Sequence, residues 1–452
     1  MPDFVPHTQE DIAQMLGFLG LESTEELFRA VPAAIRLAGG LDLAPGLSEA
    51  DVSVELATIG QRNLATGIAG SGLVCFAGGG AYDHEVPAVT RALAGRSEFV
   101  TAYTPYQPEV AQGVLEALFE YQTFISRITG LPISNSSLYD GSAALVEAVN
   151  LSVAETRSSR VIVSAGIHPH WRRVLATFAK GTGHEIEVVR LVDGLTDWDS
   201  VLGDQGGCVV VGFPNYVGAI ESLSKARSLA DRLGALLVVC QDPVSAGLLQ
   251  SPGSHGADVV VGEAQAFGTA LSFGGPYLGF FACADRLVRR LPGRLVGETV
   301  DLGGTRSYVT TLRAREQDIR REKASSNVCT NETLMAVTAA IQLGWLGTAG
   351  IREIAIGGAR AANYARKCFS QVPQISLATT APMFREFALR LPIPASVAID
   401  RLLEEGYLAG IALNEGYEGT DLEETLLLAF TERRTKVEID HFVTAVQKVV
   451  SR

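Results

Sequence analysis

The residues with chemical potential in this 452-residue chain lie just past apolar runs. One run leads into Gly262-Glu263-Ala264-Gln265-Ala266-Phe267-Gly268, another into Gln241-Asp242-Pro243, and a third into Gly166-Ile167-His168-Pro169-His170. In an open α/β sheet, ligands collect beyond the carboxyl ends of the strands, so these segments come first. An acid at 242 can hold a pyridinium nitrogen protonated and make pyridoxal phosphate a better electron sink. It can equally form an Asx turn ahead of Pro243. Asp140-Gly141-Ser142-Ala143-Ala144 is a turn of small residues opening a helical pattern. Its free N–H groups and the Ser142 hydroxyl suit a phosphate, while the plainer reading of such residues is close packing. His168 can stack on a cofactor or cap the following helix. With His170 it lacks the Cys, Asp or Glu partners of a zinc site.

A cradle of this kind needs a Schiff-base lysine near 263–266, and the chain has Gln265 there instead. The amide nitrogen's lone pair is delocalised, so it cannot form an imine. The six lysines, Lys180, Lys225, Lys323, Lys367, Lys436 and Lys448, follow no apolar strand in that region. Glu263 would also repel a phosphate if it pointed into the site. The residues thus describe a cofactor-like cradle without its covalent anchor, formed around Gly141, Ser142, Ala143, His168, Asp242 and Gln265.

Behind these residues stand the elements that must position them. Apolar runs at RVIVSA, EIEVVRL, GCVVVGF, ALLVVC and DVVVG alternate with helical segments such as ESLSKARSLADRLG. That alternation predicts a mostly parallel sheet covered by helices. A helix is predicted over 108–129, with Val110, Val114, Leu118, Tyr121, Ile125 and Ile128 on one face, Pro108 in its first turn and Gly130 as its stop. Thr8 and Thr24 are read as caps of two short helices over 8–20 and 24–31. Residues 1–60 then form an arm, 61–330 a large α/β domain, and 331–452 a small α+β domain.

Composition narrows the function. The formal charge of −13 opposes sequence-independent attraction to nucleic acid or anionic lipid, and the apolar runs read as too short to span a membrane. The six cysteines form no CxxC pair, which suits a reduced, cytoplasmic protein. No secretory or transit pattern opens the chain. GxGxxG after a strand, GxxxxGK[ST] and GxSxG are all missing, so nucleotide binding of those types and the common esterase elbow are not expected.

Three long strings carry a more specific match: EFVTAYTPYQPEVAQGVLEALFEYQTFISRITGLPISNSSLYDGSAALVEA, GEAQAFGTALSFGGPYLGFFACADRLVRRLPGRLVG and TLRAREQDIRREKASSNVCTNETL. They closely resemble the glycine decarboxylase P-protein of the glycine cleavage system, over nearly the whole chain. The resemblance implies a fold-type-I pyridoxal-phosphate transferase-like architecture. It also implies one half of a divided enzyme: an alpha subunit in an α2β2 assembly whose homologous beta subunit carries the lysine-bound pyridoxal phosphate. That enzyme decarboxylates glycine and passes the aminomethyl group to the lipoyl group of H-protein. Members of the fold lend residues across subunit interfaces, and His84, Tyr103, Thr104, Tyr106, Gln107, Ser325, Ser326 and Asn327 are the candidates for that loan. The tyrosines serve equally as interface anchors. Arg313, Arg315, Arg320 and Arg321 form either a docking patch for H-protein or a salt-bridged face. A non-catalytic scaffold and an independent pyridoxal-phosphate enzyme are the competing readings.

Overall fold

The computed structural model describes residues 6–37, 41–66, 72–324 and 326–451. They fall into two compact units, Met1–Asn63 and Leu64–Arg452.

In the first unit, Thr8 caps the helix Gln9–Leu19 in a reciprocal box with Asp11. The next segment differs from expectation. It is a 3-10 helix, Thr24–Phe28, and its cap is Ser23, whose box partner is Glu26. A further helix, Glu49–Gly60, starts at Ser48, which accepts from Asp51 N; the sequence reading missed it. These helices bury no residue, and Phe18 is 92% exposed.

The second unit is built on a seven-stranded sheet. Its spatial order is Ile133–Ser134, Gly279–Cys283, Val259–Glu263, Leu236–Gln241, Cys208–Phe213, Arg160–Ser164 and Glu185–Val189. The last five are mutually parallel, and they are the five apolar runs of the sequence. Helices cover both faces, so the four inner strands of this set are apolar almost throughout rather than alternating, while the edge strand Glu185–Val189 keeps Glu185 and Glu187. The first two strands run antiparallel and close one edge.

The predicted helix over 108–129 begins later, at Gln112, after a separate 3-10 turn at Pro108–Val110. Val110 therefore leaves the apolar face and is 81% exposed, while Val114, Leu118, Tyr121, Ile125 and Ile128 are buried as expected. Gly130 ends the helix at φ +72°, a conformation favourable to glycine.

The helix Thr333–Phe369 is broken at Gly347 (φ 57°, ψ −173°). By length and composition it suffices to cross a membrane, which the reading of short apolar runs overlooked. Its residues Ala336, Ala339, Leu343 and Ala355 lie in the core beneath the large sheet, the placement of a core helix. The chain ends in a four-stranded antiparallel sheet, ordered Ser376–Leu377, Glu386–Arg390, Thr425–Ala429 and Ile411–Leu413. Helices Ala395–Glu404 and Lys436–Val450 pack against it through Ala398, Leu402, Ile439, Phe442 and Val446.

Candidate functional site

The carboxyl ends of the parallel strands converge on a cavity of about 80 Å³ lined by His168, Trp171, Tyr216, Asp242, Glu263, Arg385 and Glu386, among others. Three features in and around it are set by groups on this chain.

The first is the helix start at 141. Asp140 caps it, accepting from Ala143 N at 2.7 Å and from the Ser142 hydroxyl at 2.6 Å. Glu263 reaches across from its strand and accepts from Gly141 N at 3.0 Å, Leu278 N at 2.7 Å and Gln265 N at 3.1 Å. Two carboxylates thus hold the amides that a phosphate would need. The expected cradle at Gly141, Ser142 and Ala143 is self-occupied. Burial pushes the Glu263 carboxyl up to about 7, because desolvation penalises its charged form. Packing is also tight: a Cβ on Gly141 would meet the Trp171 ring at 2.2 Å.

The second is Gln265, which is 1% exposed. Its Oε1 accepts from Tyr82 N at 3.0 Å, and its Nε2 donates to Tyr82 O at 3.1 Å and to Thr269 O at 2.6 Å. Where a lysine would present an amine, this amide clips two backbone segments together.

The third is Asp242. Its Oδ1 accepts from Val244 N at 3.1 Å, the Asx turn before Pro243. Its Oδ2 lies 2.7 Å from Nη2 of Arg385, a residue 2% exposed. The guanidinium carbon sits 3.7 Å from the centre of the Tyr82 ring, within the range of a cation–π contact. Asp242 therefore already has an internal cation where a pyridinium would have to sit. Glu386 faces the same space, accepting from Gly79 N at 2.8 Å and Tyr82 Oη at 2.7 Å, and burial pushes its carboxyl up to about 7.

His168 lines the same cavity. Its ring is parallel to Trp171 within 6°, and its Nδ1 accepts from His170 N at 3.1 Å. Burial, reinforced by neighbouring His170, pulls the imidazole down to about 4, so it is a neutral ring at ordinary pH.

Pyridoxal phosphate does not fit this pocket. The anchor is an amide, the phosphate amides are taken, and the acid for the ring nitrogen is paired.

His84 also lies in this network. Its side chain is 3% exposed and stands between Arg385 Nη1 and Glu432 Oε2, the latter at 2.8 Å. A guanidinium only donates, so His84 Nε2 accepts and Nδ1–H donates to Glu432. Although burial works the other way, that hydrogen bond holds Glu432 down to about 2. The turn is fixed further by Asp83, which pairs with Arg433 and Arg434.

The remaining candidates gather elsewhere. Tyr103 and Tyr106 are 81% and 50% exposed, Gln107 and Asn327 are exposed, and Thr104 is half-buried. Arg294 donates to Tyr106 Oη at 3.4 Å and to Cys329 O at 3.2 Å, bringing the 103–107 loop beside the 326–331 loop. Ser326 is hydrogen-bonded to the buried Glu147, so it faces inward; Ser325 lies outside the described residues. The arginine cluster divides. Arg315 is spent on the carbonyls of Leu291 and Gly293, Arg313 pairs with Asp318, and Arg320 and Arg321 are exposed. Among the described residues no cluster of side chains could hold a metal.

Sequence reasoning missed Arg385, Glu386, Glu432 and Arg294. Arg385-Glu386 does leave a trace, as a charged pair entering the otherwise apolar strand of MFREFALRL.

This sheet, with its strand-end acid and stacked histidine, defines the fold-type-I class of pyridoxal-phosphate enzymes. A glutamate decarboxylase from Lactobacillus brevis superimposes with a TM-score of 0.67 at 12% identity, covering 93% of this chain and 96% of that one, a likeness of fold alone. Within that class the relation is much closer. A crystal structure of glycine decarboxylase (P-protein) of the glycine cleavage system, in inhibitor-bound form, matches with a TM-score of 0.91 at 42% identity, over 99% of this chain and 100% of that one. A protein of Desulforamulus reducens described as probable glycine dehydrogenase (decarboxylating) subunit 1 is 43% identical, over 97% of each chain. Residues 2–446 match the family described as glycine cleavage system P-protein, and the chain belongs to that family.

Proposed function

We propose that this chain is the alpha subunit of a divided glycine decarboxylase, the one without the Schiff-base lysine, acting in the cytoplasm with a homologous beta subunit as an α2β2 assembly. In this reading residues 1–60 are an arm, 61–330 the large domain and 331–452 the small domain. Pyridoxal phosphate is bound to a lysine of the beta subunit, where it supplies the electron sink for loss of CO2 from glycine. The aminomethyl group then passes to the lipoyl group of H-protein. The observation that carries the reading is the self-filled cradle: an enzyme fold complete in its sheet, with Gln265 hydrogen-bonded where the amine belongs. What this chain contributes is surface. The exposed side chains of Tyr103, Tyr106, Gln107 and Asn327 line a neighbour's site and help exclude water from it. Their exposure, with Tyr103 81% and Tyr106 50% exposed, suits a face covered by another subunit.

Co-expression with a lysine-bearing homologue tests this directly. Decarboxylation of glycine is expected from the pair and from neither chain alone. Turnover by the purified chain would refute the division of labour.

A further inference from the structure

Arg294 opens the strand Leu295–Val300 and is 6% exposed. Both terminal nitrogens of its guanidinium are used. Nη1 donates to Thr330 Oγ1 at 3.2 Å and Asn331 Oδ1 at 3.0 Å. Nη2 donates to Cys329 O at 3.2 Å and Tyr106 Oη at 3.4 Å, and the guanidinium carbon lies 5.2 Å from the Tyr106 ring centre. The backbone is anchored too, since Arg294 O accepts from Ser136 N at 2.9 Å.

The two loops that meet this fork are not equally secured. The 329–331 segment has other ties: Tyr139 Oη accepts from Cys329 N at 3.0 Å, and Asn331 Nδ2 donates to Ser136 O at 3.2 Å and Ser137 Oγ at 3.0 Å. In the 103–107 loop, Arg294 is the side chain that reaches Tyr106 from the body of the unit; the loop's own bond is Tyr106 N to Thr104 O at 2.8 Å. Arg294 therefore fastens the 103–107 loop, which is otherwise held by the buried Pro105 and by Val110 N donating to Gln107 O, to the more heavily bonded 329–331 segment.

We propose that Arg294 is a positioning residue, setting the register in which Tyr103, Tyr106, Gln107 and Asn327 are presented together to the neighbouring subunit's site. The proposal rests on the reading of this chain as the subunit without the Schiff-base lysine. A flat fork reaching four acceptors in two loops and lying over a ring is a task that lysine, a point charge with a narrower reach, performs poorly.

The test uses the assembled complex with Arg294→Met, Arg294→Lys and Tyr106→Leu. Amide hydrogen exchange is read over 102–107 and 327–331, with kcat and KM for glycine beside it. Arg294→Met is expected to speed exchange at 102–107 at least tenfold and at 327–331 less. Assembly should persist while kcat falls tenfold or more and KM changes less than threefold. Arg294→Lys should recover only a minor part of the lost kcat. Tyr106→Leu, which leaves the arginine and its other bonds in place, should loosen 102–107 alone. Unchanged exchange at 102–107 in Arg294→Met or in Tyr106→Leu overturns the proposal, whether or not assembly survives. So does a loosened loop with undiminished kcat in an active complex. A wild-type complex inactive towards glycine defeats the functional reading instead, while exchange still decides whether Arg294 couples the loops.

Discussion

Gln265→Ala removes the clip that stands in the lysine's place. Three bonds disappear, leaving Tyr82 N–H and Thr269 C=O without that partner at a site 1% exposed, while Tyr82 C=O keeps the bond from His84 N at 3.0 Å. A net hydrogen bond contributes about 1 kcal/mol, and a buried group left unpaired costs about 1–3 kcal/mol. Water entering the vacated space recovers part of this, so the expected loss is about 4 kcal/mol. Unfolding entropy of about 2.1 cal/mol/K per residue, taken over Leu64–Arg452, makes that a fall of about 5 °C in Tm. Differential scanning calorimetry of the purified chain is the assay, with Gln265→Glu beside it. The glutamate keeps an acceptor for Tyr82 N–H but faces two carbonyls it cannot donate to when ionised, so it should melt at least as low at pH 8. A Gln265→Ala chain melting within 1 °C of the unaltered protein would refute the idea that the amide is a structural replacement for the amine.

Three other outcomes follow from the same pocket and its surroundings. Arg385→Met strands the Asp242 and Glu386 carboxylates and should cost about 3–5 kcal/mol in urea unfolding; adding Asp242→Asn should recover part of it, and additive losses would contradict the pairing. Burial pushes the Glu147 carboxyl up to about 7 from 4.5, so its native form holds the proton more tightly, and the associated stability is present below about 4.5 and lost as pH rises through 7. Glu147→Gln should therefore raise the urea midpoint at pH 8 and flatten, without abolishing, the fall between pH 6 and 8. Gly141→Ala drives a methyl group into the Trp171 ring and should destabilise the chain by about 1–3 kcal/mol, visible as a shift in Trp fluorescence as well as in Tm.

The parallel strands were legible because strands buried on both faces are apolar almost without interruption, and Gly130 was legible because a helix stop favours a left-handed residue. Helix starts were less so. Thr24 and Ser23 both have capping hydroxyls, and only the chain's path decides which one faces the free amides; Ser48 sits in a stretch whose Pro and Gly content masks the helix behind it. The missing lysine was plain from Gln265 itself. What replaced the cofactor was not, because Arg385 meets Asp242 and His84 across 143 and 301 positions of sequence, and no local pattern encodes that distance. The surroundings of His84 were hidden for the same reason: its neighbours Arg385 and Glu432 come from the far end of the chain. Glu263 shows the reverse case, where a charge that looked hostile to phosphate does point at the helix start and takes its amide.

The most direct test of the central claim is borohydride reduction of the assembled two-chain complex, followed by peptide mass spectrometry. The account predicts a reduced pyridoxyl-lysine in the partner subunit and none on Lys180, Lys225, Lys323, Lys367, Lys436 or Lys448 of this chain. A stoichiometric pyridoxyl-lysine on any of these six would contradict it.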